Sequence, residues 1–152
     1  MSTPDRPLRA DARRNRERVL TAAREAFAES GYGVPLDAIA ARAGVEAVDA
    51  GAALDALLGR IAEEAVAKRD LPDALGGVGE AAVAVARTEL HGALDTLLDR
   101  ARAAGAVRDG IGAAELMVLL KGLLQAVQES GDPALPARLL AVVRDGLRPP
   151  RL

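Results

Sequence analysis

Five arginines stand where they could grip a polyanion. Arg13, Arg14, Arg16 and Arg18 crowd the front of an amphipathic run, and Arg42 closes a second, shorter one. Guanidinium groups at that density neutralise phosphates, the sequence-independent part of nucleic-acid binding. The charge balance agrees: residues 1–24 hold seven arginines against three acids, a local +4, whereas residues 25–152 carry −6. A basic arm on an acidic body suits phosphate contact. A solvated tail is the plainer reading of such an arm, and a solvated helix position the plainer reading of Arg42.

Other chemistry is poorly supplied. The chain has no cysteine and one histidine, which excludes thiol catalysis, disulfides and a soft metal site. His91 stands alone on a helical run beside Glu89, and no Ser/His/Asp arrangement accompanies it. Asp95 and Asp99 read as a solvated helix edge, and Glu63 and Glu64 with Lys68 as ordinary support one turn apart. Gly76-Gly-Val-Gly lacks the strand and lysine of a phosphate loop. The expectation is therefore no catalytic residue, no metal, no cofactor and no enzymatic activity.

The elements that must position the arginines are helices. From Asp11 to Ser30 the apolar residues Val19, Leu20, Ala23 and Phe27 recur at spacings of three and four, and Gly31 supplies a left-handed stop. Leu36 to Ala43 forms a short helix, started by Pro35 and ended by Gly44. These two are the front half of a helix-turn-helix. Further helices are expected at 52–68, 80–104, 113–130 and 136–147, with Asp70-Leu-Pro-Asp and Gly76-Gly-Val-Gly marking a connection. No strand periodicity occurs, so the fold class is all-α. Residues 1–10 form a flexible basic arm, residues 11–51 a three-helix unit and residues 52–152 an antiparallel helical domain.

Half of the 152 residues are apolar, and only Phe27 and Tyr32 are aromatic. A core of Ala, Leu and Val is thus expected, with closely spaced helix axes. No uncharged apolar run approaches the ~18 residues of a membrane span, and the N-terminus lacks a secretory apolar core. The expected location is cytoplasmic, with no membrane partner.

The last two helices carry an excess of apolar surface. Leu116, Leu119, Leu120, Leu123 and Val127 on the first, and Leu139 and Val143 on the second, cover more circumference than a single buried stripe. Such helices bury one face on their own domain and one elsewhere, unless both lie inside a monomer.

The run from Arg9 to Val45, RADARRNRERVLTAAREAFAESGYGVPLDAIAARAGV, resembles the N-terminal domain of TetR-family transcriptional regulators over its whole length. The likeness rests on the arginine-rich lead, the Ala23–Phe27 stripe, the Gly31-Tyr32 stop and the Ala43-Gly44-Val45 turn. Leu97–Asp132 is similar, more loosely, to the ligand and dimerisation domain of actinobacterial members. The resemblance implies a homodimer built from the last two helices, double-stranded DNA as a partner, and a repressor role. It also implies a small apolar effector held among Leu57, Ile61, Val83, Leu90 and Leu94.

The chain departs from the family where a DNA-reading helix should follow the Gly44 turn. None of the 14 residues after Val45 is basic or aromatic, and Glu46, Asp49 and Asp55 are acidic. Base-edge recognition runs mainly through Arg, Lys, Asn and Gln, so specific readout by this stretch is weak. The competing expectation is therefore a dimerisation or protein-interaction module that has lost DNA binding.

Overall fold

The computed structural model describes residues 5–69 and 80–151, with six helices and no strand among them. They are α1 (Asp5–Ser30), α2 (Leu36–Ala43), α3 (Ala50–Arg69), α4 (Glu80–Ala103), α5 (Ala113–Glu129) and α6 (Leu135–Leu147). The connection expected at Asp70–Gly79 lies outside the described residues, as do residues 1–4.

α1 begins at Asp5, six residues before the expected start, so residues 5–10 are helix rather than flexible arm. Pro7 sits in the first turn, where its missing N–H breaks no helical bond, and an acid at the N-terminal end complements the helix dipole. The inner face of α1 is Val19, Ala22, Ala23, Ala26 and Phe27, all buried. Gly31 ends the helix at φ 77° and donates its N–H to the Phe27 carbonyl at 3.0 Å.

α2 occupies the expected span, with Leu36, Ile39, Ala40 and Ala43 inward. Its end is a Schellman turn: Gly44 at φ 67° donates to Ala41 at 3.2 Å, and Val45 donates to Ala40 at 3.1 Å. A non-glycine residue at Gly44 would strain the left-handed backbone.

Residues 45–49 are not helical, and α3 starts directly after them. Asp49 caps it, its Oδ1 accepting the N–H of Ala52 at 2.9 Å. α3 runs unbroken past residues 51 and 52, where a domain boundary was expected. It buries almost every side: Ala50, Ala52, Ala53, Leu54, Ala56, Leu57, Leu58, Ile61, Ala62 and Ala65 are all buried. A helix apolar all round belongs in the interior. α3 accordingly packs on α1, α4, α5 and α6, and is the axis of the core.

The second half of α4 completes that core with Leu94, Leu97, Leu98 and Ala101. Gly105, at φ 73°, then turns the chain, and the Arg108 N–H bonds the Leu147 carbonyl at 2.8 Å, tying this turn to the end of α6. α5 and α6 are joined by residues 130–134 and lie against α3. No helix among the described residues is long and apolar enough to cross a membrane.

Candidate nucleic-acid interface and dimer face

The five arginines are not equivalent. Arg14 is ion-paired with Asp11 one turn away. Arg16 is paired with Asp55 of α3 and lies 4.0 Å from Asp49. Arg42 donates to Glu29 at 2.6 Å and approaches Glu25 at 3.9 Å, and the Glu29 hydrogen bond raises its pKa further above the ordinary value. Arg13 and Arg18 are exposed and make no ion pair among the described residues. Three of the five expected phosphate ligands thus already hold carboxylates of their own chain. The turn that should open onto a reading helix instead supplies Asp49, a cap for α3, and the first turns of α3 supply Asp55, an ion-pair partner.

Asp55 joins three helices. Besides Arg16 of α1, it accepts from Arg144 of α6: Arg144 Nη2 donates to the Asp55 carbonyl at 2.8 Å, and Arg144 Nε lies 3.4 Å from the carboxylate. All three side chains are half-buried. Flanked by Leu54, Ala56, Leu57 and Leu58, an ionised Asp55 needs cations to offset its desolvation. Replacing Asp55 with Ala leaves Arg16 and Arg144 facing each other without their shared anion. Partial solvent access limits the loss, so roughly 1–3 kcal/mol of stability should go. Urea denaturation checks this, and a change within about 0.5 kcal/mol would mean that the tie carries no weight.

The expected effector residues are close-packed. Leu57, Ile61 and Leu94 are buried in the main core, and Leu90 packs half-buried at its edge. The Val83 side chain lies outside the described residues. Leu57, Ile61, Leu90 and Leu94 do not line the three cavities described below. With α3 in the middle of the bundle, Leu57, Ile61 and Leu94 fill space in the core.

The expected dimer residues divide. Leu116, Leu120, Leu123 and Val127 are buried against the chain's own core, which corrects their assignment to an outer face. Leu139 and Val143 are half-buried against a small cluster of Ala65, Leu123 and Val127. Leu119 alone of the seven is exposed, at 53%. It is joined by Val118 at 72% and Val142 at 69%, so among the described residues three of the four large exposed apolar side chains lie on α5 and α6. On α5 the exposed pair Val118 and Leu119 points at other angles around the helix than the buried Leu116 and Leu120, and Val142 is exposed on α6.

Elsewhere, Glu63 pairs with Arg24 of α1 at 3.2 Å. Glu64 accepts from Arg60 at 3.1 Å and from the Tyr32 hydroxyl at 2.5 Å. The Arg24 and Tyr32 contacts tie α3 to α1 and to the turn after it, whereas the side chain of Lys68, the expected partner, lies outside the described residues. Burial and the Glu64 hydrogen bond push the Tyr32 phenol above its ordinary range, so it stays a donor.

The described residues, six helices with a helix-turn front and no strand, define an all-α fold. Residues 49–149, more than half of the chain, match the family described as "Transcriptional regulator SbtR-like, C-terminal domain", and the chain belongs to the TetR family of transcriptional regulators. The match begins at the Asp49 cap of α3. Two solved structures are similar. A TetR transcriptional regulator from Streptomyces coelicolor is 26% identical over 90% of this chain and 99% of its own, with TM-score 0.39. A TetR transcription regulatory protein from Mycobacterium vanbaalenii is 31% identical over 94% of this chain and all of its own, with TM-score 0.36. No curated protein matches the sequence.

Proposed function

We propose that this TetR-family chain regulates by pairing and not by reading DNA. In this reading it is a cytoplasmic, non-enzymatic homodimer formed through the outer faces of α5 and α6. It can also pair through the same face with a full-length relative, and so deprive that relative of its second DNA-reading head. The observation that carries the reading is the start of α3: the chain passes from Gly44 through five non-helical residues straight into a buried helix. Between α2 and α3 no helix is left to enter a major groove, and recognition by a helix-turn-helix depends on that segment. The paired state of Arg14, Arg16 and Arg42 supports the same conclusion, because each must give up a carboxylate before it can hold a phosphate.

Selection from a randomised double-stranded DNA pool tests this. No enriched motif is expected. Fluorescence anisotropy on arbitrary duplexes should show at most weak binding through Arg13 and Arg18. With two such arginines per subunit, the slope of log affinity against log salt should be no steeper than about −4 for a dimer. Enrichment of a palindromic site, with binding that discriminates it from arbitrary DNA by a thousandfold or so, would restore the operator-binding repressor reading.

A further inference from the structure

Charge separates the three principal cavities. The groove between α1 and α2 is lined by Arg14, Arg18 and Arg42 beside Asp11, Glu17 and Glu25. The notch where α1, α3 and α6 meet is lined by Arg16, Arg144 and Arg148 around Asp55. The third cavity, about 340 Å³, lies between the turn after α1 and the middle of α4, and no arginine, lysine or histidine lines it. Its walls include Phe27, Pro35, Leu36 and Leu97, its polar groups include the Thr96 hydroxyl, and its one carboxylate is Glu89.

Glu89 is exposed and makes no hydrogen bond or ion pair among the described residues. Its carboxyl group stands over the glycine turn: a methyl group built on Gly33 would lie 3.7 Å from the carboxyl carbon, and one on Gly31 3.9 Å from Oε2. The other acid nearby, Glu64, is already engaged by Arg60 and Tyr32. An apolar hollow with a single unpaired anion at its rim is complementary to one ligand class. The volume is at the small end of ligand sites, which run from roughly 300 to 1,000 Å³.

The geometry points to a binding site for a small organic cation, a protonated amine on a compact apolar body, with the ammonium on Glu89 and the body against Phe27, Pro35 and Leu97. The Thr96 hydroxyl is a second acceptor for the ammonium protons, and the Phe27 and Tyr32 rings add attraction for a cation near their faces. The site is distinct from the packed residues Leu57, Ile61 and Leu94. It bridges the turn after α1 and α4, so an occupant clamps the helix-turn front to the body. The inference stands whether or not the chain dimerises.

Tyr32 is the sole tyrosine and the chain has no tryptophan, so its fluorescence reports on this cavity directly. The full chain is titrated with cyclohexylmethylamine, cyclohexylmethanol and cyclohexylacetate, by calorimetry and by Tyr32 emission. The amine should bind saturably and roughly fivefold to tenfold more tightly than the alcohol, with the acid weakest. Glu89→Gln, at an exposed position, should bring the amine to the level of the alcohol. Gly33→Leu, whose side chain would lie beside Glu89 at the cavity mouth, should weaken both. Equal affinity for amine and alcohol overturns the proposal, as does an amine preference that survives Glu89→Gln. Absence of saturation by all three probes overturns it too.

Discussion

Phe27→Ala should destabilise the protein by about 3 kcal/mol, the largest single loss expected from any side chain at the helix-turn front. Phe27 is the chain's one phenylalanine and is 3% exposed. It fastens α1 to the turn that leads into α2, with its ring centroid 6.4 Å from that of Tyr32 and tilted by 44°. On its own helix the buried residues nearest in sequence are the alanines Ala22, Ala23 and Ala26, too small to refill the space. Truncations of this kind cost about 3–5 kcal/mol. The lower figure applies because one side of the ring already borders the cavity below Glu89, so fewer contacts are lost. Against a total stability of roughly 5–15 kcal/mol, that is a large share. Urea denaturation followed by circular dichroism reads the effect, with Phe27→Leu as a control expected to lose less than about 1.5 kcal/mol. A loss under 1 kcal/mol for Phe27→Ala would mean that the helix-turn front is held by α2 and α3 without it.

The helix-turn front was the most legible part of the chain because rigid punctuation bounds it. Pro35 and Gly44 delimit α2 to the residue, and Gly31 ends α1 where expected. The start of α1 was missed because Pro7 reads as a breaker, although a first-turn proline is compatible with a helix. α3 was under-read for a different reason. A stripe of Leu54, Leu57, Leu58, Ile61 and Ala65 suggests one buried face, but the alanines at 50, 52, 53, 56 and 62 bury the others as well. Small side chains carry little hydrophobic signal each, yet they are what lets four helices close on one axis.

The candidate sites were legible as composition and not as geometry. Arginines at 13, 14, 16, 18 and 42 advertised phosphate contact, but whether a guanidinium is free depends on carboxylates brought up by packing. Arg16 and Asp55 are 39 residues apart, and Arg144 and Asp55 are 89 apart. No local pattern encodes such partners. Asp49 did carry a local signal: an acid just before an apolar helical run is a cap signature, and it stands immediately before the observed start of α3 at Ala50, two residues ahead of the expected start. Read that way, the loss of the reading helix is visible in the sequence itself. The cavity at Glu89 left no such trace, since its lining comes from two segments more than fifty residues apart, brought together by tertiary packing.

The double substitution Leu119→Arg, Val142→Arg should convert the protein from dimer to monomer. Both side chains stand on the outer face of the α5–α6 hairpin, and neither belongs to the core, so the fold has little to lose. In a two-fold interface each substitution occurs twice, and four guanidinium groups would be trapped without partners in one apolar seam. Truncating or unpairing one buried interfacial charge costs about 2–5 kcal/mol, and each 1.4 kcal/mol is tenfold in dissociation constant. Even the lower figure, taken over the whole seam, weakens association by more than about a thousandfold. Light scattering after size exclusion should then give 15.7 kDa for the variant at micromolar concentration, and twice that for the parent. Its circular dichroism should be unchanged, which separates loss of pairing from loss of fold. The converse change, Leu120→Arg, strikes a residue of α5 buried in the core and should unfold the chain instead. That contrast tests the register of the face: if Leu119 and Val142 tolerate arginine with the dimer intact, or if the parent is already a monomer, the outer face of α5 and α6 is not where this chain meets its copy. The regulator-by-pairing reading would then have no surface to act through.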